Sequence, residues 1–175
     1  MHKGNLAEVD EDLSLFQFNA LVDVLSQYGF EQYELSAFSK PGFRSQHNTL
    51  YWEGGDYVGF GPSAHSFYQN QRLWNVSNVS EYIRLLNLGE SVCQSEILSE
   101  IDRYNEAVML GLRTLKGVSV SKLKSMPEVY YSYFVKQSAP YFQSGALVML
   151  NDFVVVASSS LFITDRIVED LFFVD

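Results

Sequence analysis

Residues 10–42 read DEDLSLFQFNALVDVLSQYGFEQYELSAFSKPG, and the change of period inside this stretch decides the class of fold. Over residues 10–29, Leu13, Phe16, Ala20, Val24 and Tyr28 recur every three or four positions, the spacing of one helix face. Asp10, Glu11 and Asp12 stand where the helix dipole favours negative charge, and Gly29 stands where a helix commonly ends in a left-handed residue. Residues 30–38 then place aromatic and apolar side chains in a run suited to a strand, closed by the turn residues Ser39-Lys40-Pro41-Gly42. A helix leading into a strand is the repeating unit of an α/β layer.

Outward from this unit, residues 43–74 are loop-rich, with glycines at 54, 55, 59 and 61 and one short strand expected over residues 57–61. Loops of this length are more often functional than decorative. Residues 80–88 read as a short helix stopped by Gly89, and Ile97, Ile101, Tyr104, Val108, Leu112 and Leu115 form a helical stripe ending near Gly117. The composition shifts at about residue 90, which divides the chain into residues 1–90 and 91–175. Beyond the stripe, Ser119 caps a short helix running to Met126, and Pro127 opens another that ends near Gly145, kinked or shortened by Pro140. Residues 146–150 and 153–157 form a hairpin across Asn151-Asp152, and serines 158–160 cap a last helix through Phe172. The fold class is therefore α+β: a helix–strand unit, then a mainly helical domain with a winged-helix-like hairpin.

The chain has 175 residues, 47% of them hydrophobic and 15% aromatic, enough for an aromatic-rich core. Its net charge of −9 disfavours nucleic acid and anionic membranes as partners. The single cysteine, Cys93, excludes an intrachain disulfide, an all-cysteine zinc site and an iron–sulfur cluster held by this chain alone, and reads as a packed or incidental thiol. No apolar run reaches the roughly 20 residues of a membrane span, and the first residues lack the apolar stretch of a signal peptide, so a cytoplasmic setting is expected.

Chemistry-bearing residues are densest in His47-Asn-Thr-Leu-Tyr-Trp52 and in Gly59-Phe-Gly-Pro-Ser-Ala-His-Ser66. Two readings of the first stay open. His47 ligates a haem iron while Tyr51 and Trp52 cover the porphyrin face, or it hydrogen-bonds a carbonyl while the two rings pack. Gly59 and Gly61 either cradle an anion or mark close backbone packing at a strand end, and the third glycine of a dinucleotide fingerprint is missing. His65 and Ser66, as neighbours on extended chain, point to opposite faces and make no nucleophile–base pair. Glu31, Glu34, Glu100 and Glu106 read as solvated or capping carboxylates.

Three elements in order, Tyr33-Glu-Leu-Ser-Ala-Phe-Ser-Lys-Pro-Gly42, His47-Asn-x-x-Tyr-Trp52 and Gly59-x-Gly-Pro-x-Ala-His-Ser66, resemble the later part of the oxygen-independent coproporphyrinogen III oxidase-like radical S-adenosylmethionine proteins. The second element resembles their haem-chaperone branch. The resemblance implies a longer protein, in which a partial α/β barrel holds S-adenosylmethionine and a four-iron cluster on a Cys-x-x-x-Cys-x-x-Cys loop, followed by a helical domain. No such loop occurs here, so the chain looks like the barrel's end plus the C-terminal domain, not catalytic alone. By the resemblance, Phe38 and Ser39 are cofactor-side contacts on the last barrel strand, and His47, with Tyr51 and Trp52, is the haem-ligand candidate. Gly59, Gly61 and His65 belong to a motif near the barrel mouth. Haem or a porphyrin, and a haem-receiving protein, are the implied partners. Residues 32–38, without neighbouring barrel strands, are expected to be bare and to support self-association. The alternative is a cofactor-free interaction module of winged-helix type.

Overall fold

The computed structural model describes residues 10–174. Helix α1 (Glu11–Gln27) begins at Asp10, whose carboxylate accepts the Leu13 N–H at 3.0 Å. The stripe Leu13, Phe16, Val24 and Tyr28 is exposed, and the helix instead turns Phe18 inward, its ring 5.9 Å from that of Phe162. Leu15, Phe18, Leu21, Val22 and Leu25 make other faces of α1 apolar too, so period alone does not select the face that packs.

The single strand expected over residues 30–38 is a hairpin, β1 (Glu31–Glu34) and β2 (Ala37–Ser39), reversing at Leu35-Ser36 with a register shift between Gln32 and Glu34. It is not bare. Tyr33, Glu34 and Ser39 are buried, and the Leu35 N–H donates to the Arg113 carbonyl at 2.8 Å, so the segment following a later helix covers one edge. Burial also corrects the reading of Glu34 as a solvated carboxylate: one oxygen accepts from Ser36 Oγ, and the other has no partner among the described residues.

The middle of the chain is more ordered than a loop. Helix α2 (Gln46–Trp52) is followed by a three-stranded antiparallel sheet of β3 (His65–Tyr68), β4 (Gln71–Asn75) and β5 (Cys93–Ile97), in that spatial order. Helix α3 (Val79–Leu88) connects β4 to β5 and closes at Gly89, where φ is +68°. The strand expected at residues 57–61 reduces to one bridge between Tyr57 and Phe67. Ile97 ends β5 instead of opening the next helix, and Cys93 lies exposed on that edge strand, not packed.

The main core belongs to the last third. Helices α4 (Glu100–Leu112), α5 (Val120–Lys124), α6 (Glu128–Ser144) and α7 (Thr164–Leu171) surround a sheet ordered β6 (Val118–Ser119), β8 (Phe153–Val156), β7 (Leu147–Leu150). Tyr104, Val108 and Leu112 of the predicted stripe are fully buried against Leu123, Val154 and Ile167. Pro127 caps α6, which runs unbroken through Pro140. That proline is exposed, so the carbonyl it leaves unpaired has water within reach. Asn151 supplies the left-handed turn residue, φ +54°, that glycine would otherwise provide. Serines 158–160 form 3-10 turns (Ser158–Ile163), and the last helix begins only at Thr164. No helix among the described residues is long and apolar enough to cross a membrane.

Helix α4 is anchored by a reciprocal cap: the Asp102 N–H donates to Ser99 Oγ at 3.1 Å, and the Ser99 N–H to Asp102 Oδ2 at 2.9 Å. The Ser99 hydroxyl and N–H hold the Asp102 carboxyl below its ordinary value. A lowered native pKa stabilises the fold above the ordinary carboxylate value, and the contribution is lost as pH falls through the native one. Ser99→Ala is expected to cost about 1 kcal/mol at neutral pH in urea melts. The difference from the parent should shrink in acid, and a difference independent of pH would contradict the cap's role.

Candidate functional site

The site is organised by α2. Ser45 caps it, accepting the Asn48 N–H at 3.2 Å, and Gly54 at φ +69° ends it, its N–H donating to the Tyr51 carbonyl at 3.1 Å. Four residues apart, His47 and Tyr51 share one side of this helix, with ring centroids 5.1 Å apart and edge-on. Tyr51 stacks on Tyr57 at 4.1 Å, and Tyr57 lies near-parallel to Phe67 at 6.4 Å. Two backbone hydrogen bonds fix the last pair: Tyr57 N–H to the Phe67 carbonyl at 2.8 Å and Phe67 N–H to the Tyr57 carbonyl at 2.9 Å. Burial, reinforced by the neighbouring Tyr51 hydroxyl, pushes the Tyr57 phenol up to about 12, so it stays neutral at physiological pH. His47 itself is exposed at the open end of this ladder of rings.

Trp52 is on the other side of the helix. It joins Thr49 and Glu53 in lining a separate cavity, with the Arg113 guanidinium 5.7 Å from its ring centre. Neighbours on a helix diverge by about 100°, so Tyr51 meets His47 while Trp52 lines the cavity.

The glycine motif is built for packing. A Cβ on Gly59 would meet the His65 carbonyl at 2.2 Å, and its N–H already donates to Ser66 Oγ at 3.0 Å. Gly61 takes φ +98°, and its carbonyl accepts from Asn75 Nδ2 at 2.9 Å. Close backbone approach thus accounts for Gly59, and that amide is not free for an anion. His65 is exposed and paired in register with Trp74, while Ser66 turns the other way. Phe38 is half-buried opposite Gln32, and Ser39 is buried opposite Glu31 with its hydroxyl unpaired among the described residues. Glu31, Glu100 and Glu106 pair with Arg44, Arg103 and Arg72. No cluster of three or more His, Cys, Asp or Glu able to hold a metal ion occurs among the described residues.

The sequence is 32% identical over 123 residues to a protein of Lactococcus lactis named "Heme chaperone HemW", a match covering 70% of this chain and 32% of that one. It is 30% identical over 128 residues to the Bos taurus "Radical S-adenosyl methionine domain-containing protein 1, mitochondrial", covering 68% and 29%. The chain belongs with these haem-chaperone and radical S-adenosylmethionine proteins, as the counterpart of their C-terminal part. No family model matches it. The chain spans about a third of the length of the curated relatives it matches. Among solved structures, the coproporphyrinogen III oxidase HemN of Escherichia coli, described as a radical SAM enzyme, superimposes on 98% of this chain and 43% of its own, with a TM-score of 0.70. At 16% identity that likeness shows the fold alone.

Proposed function

We propose that this chain is the haem-holding C-terminal portion of a haem chaperone and that His47 supplies the axial nitrogen to the iron. The observation that carries this reading is the exposed imidazole at the end of the Tyr51–Tyr57–Phe67 ladder. Haem binding needs an accessible nitrogen beside apolar surface, and the three rings, fastened to one another and to β3, supply such a surface. The residues do not fit a four-iron cluster, because a site-differentiated cluster takes three cysteine thiolates and the chain has Cys93 alone. Radical chemistry would then rest on segments like the remainder of the longer relatives, and the chain alone is not an enzyme in this reading. The division near residue 90 is retained, and the helical part is a winged helix. Its order α4, β6, α5, α6, β7, β8 and the sheet order β6-β8-β7 support that assignment.

Haem titration followed by the Soret band tests the ligand. The parent and His65→Ala are expected to give the same band and affinity, and His47→Ala is expected to lose the ligated spectrum. An unchanged spectrum in His47→Ala would reject the assignment, leaving the aromatic ladder as packing and His47 as a surface residue.

A further inference from the structure

The cavity on the Trp52 side of α2 has no part in that reading. Its volume is about 580 Å³, inside the range of roughly 300–1,000 Å³ typical of small-molecule sites. Tyr33, Trp52 and Phe153 supply aromatic surface, and Leu110 and Leu115 supply aliphatic surface. Its charged lining is Arg44, Lys116 and Lys122 against one carboxylate, Glu53. In a chain of net charge −9, this local reversal of sign selects for an anion.

Two of the cations are engaged, but only by half-exposed partners. Arg44 meets Glu31 at 3.2 Å and lies over the Tyr33 ring, and Lys116 meets Glu53 at 3.0 Å. Such pairs contribute about 0–1 kcal/mol, so a ligand carboxylate can exchange into them at little cost. Lys122, on α5, has no ion-pair partner among the described residues. Aromatic and aliphatic walls with cations at the rim fit a flat apolar ring system that carries carboxylates.

We infer that this cleft is a second ligand site, which takes the carboxylate-bearing edge of a planar aromatic acid. Resting on the function proposed above, that acid is a tetrapyrrole gripped by its propionates. Because His47 and Trp52 leave α2 on opposite sides, an imidazole on one side does not reach a ring held on the other. The two sites therefore hold separate molecules, His47 by the iron and the cleft by the carboxylates. Binding in the cleft needs no metal.

Metal-free coproporphyrin, which carries four propionates, is the probe, followed by its own fluorescence anisotropy with the chain in excess. Lys122→Glu, at an exposed position, is expected to weaken binding by about tenfold or more, the loss of one charge-assisted contact. Lys116→Gln should weaken it in the same direction, added salt should weaken it further, and His47→Ala should leave it unchanged. Equal affinity of parent and Lys122→Glu, or loss of binding in His47→Ala, would overturn the inference. Naphthoate serves as a small aromatic acid: binding of naphthoate in a Lys122-dependent way, without coproporphyrin, would overturn the tetrapyrrole assignment. The haem titration separates this from the ligand reading. A His47-dependent Soret band with no coproporphyrin binding rejects the cleft alone, and Lys122-dependent coproporphyrin binding with no Soret change rejects His47 alone.

Discussion

Replacing Tyr104 with alanine is expected to remove about 3–5 kcal/mol of stability, a large share of the roughly 5–15 kcal/mol that holds a typical protein folded. Tyr104 is fully buried on α4 and is the centre of an aromatic cluster. Its ring stacks on Tyr130 at 5.3 Å and meets the edges of Tyr133 and Phe173 at 6.3 and 6.4 Å. Its hydroxyl donates to the Leu171 carbonyl at 3.0 Å, tying α4 to the end of α7. Burial raises the phenol's pKa well above its ordinary value, so the group remains a donor over any accessible pH. Truncation opens a cavity among rings that cannot collapse together and leaves a carbonyl without its partner. Tyr104→Phe keeps the ring and should lose only about 1–3 kcal/mol, the hydrogen-bond share. Urea melts of both variants measure the two terms, and a loss below about 1 kcal/mol for the alanine would place Tyr104 outside the cooperative core. The consequence reaches function, because α4 also carries Ala107 and Leu110, which wall the cleft.

What could be read from the sequence follows from where one force dominates. Tyr104, Val108 and Leu112 were legible as core because burial on a single helix face writes its period directly into the residues. Gly89 and Ser119 were legible as helix ends because capping chemistry is local. Helix α2 was not, since seven residues are too few for a period to show among glycines and turn residues. Leu35-Ser36 carries no glycine to announce the reversal of the β1–β2 hairpin. The ordered trio of motifs pointed to the family that the relatives bear out. At the site, Tyr57 and Phe67 come together only through a backbone bridge, and Arg44, Lys116 and Lys122 meet only when α2 packs near α4 and α5. Such pairings are tertiary, and no local pattern encodes them.

Gly117→Ala is expected to be far more damaging than Gly145→Ala, although both glycines sit in the left-handed region, at φ +86° and +77°. That conformation alone costs an ordinary residue about 1–2 kcal/mol, which is the whole expected effect at Gly145, where an added Cβ meets nothing within 4 Å. At Gly117 the same atom would stand 2.4 Å from the Val154 carbonyl oxygen and 2.5 Å from Val155 Cγ1. Strand β8, which pairs with β6 on one side and β7 on the other, would have to shift, adding about 1–3 kcal/mol of overpacking strain. The expected total is therefore about 2–5 kcal/mol, and comparing the two variants in urea melts isolates the contact from the backbone term. Equal losses would mean that β8 yields freely. Gly117 also lies between Lys116 and Val118 on the wall of the cleft. Under conditions where both variants remain folded, coproporphyrin affinity should fall in Gly117→Ala and hold in Gly145→Ala, because only the first displaces a cation from the rim.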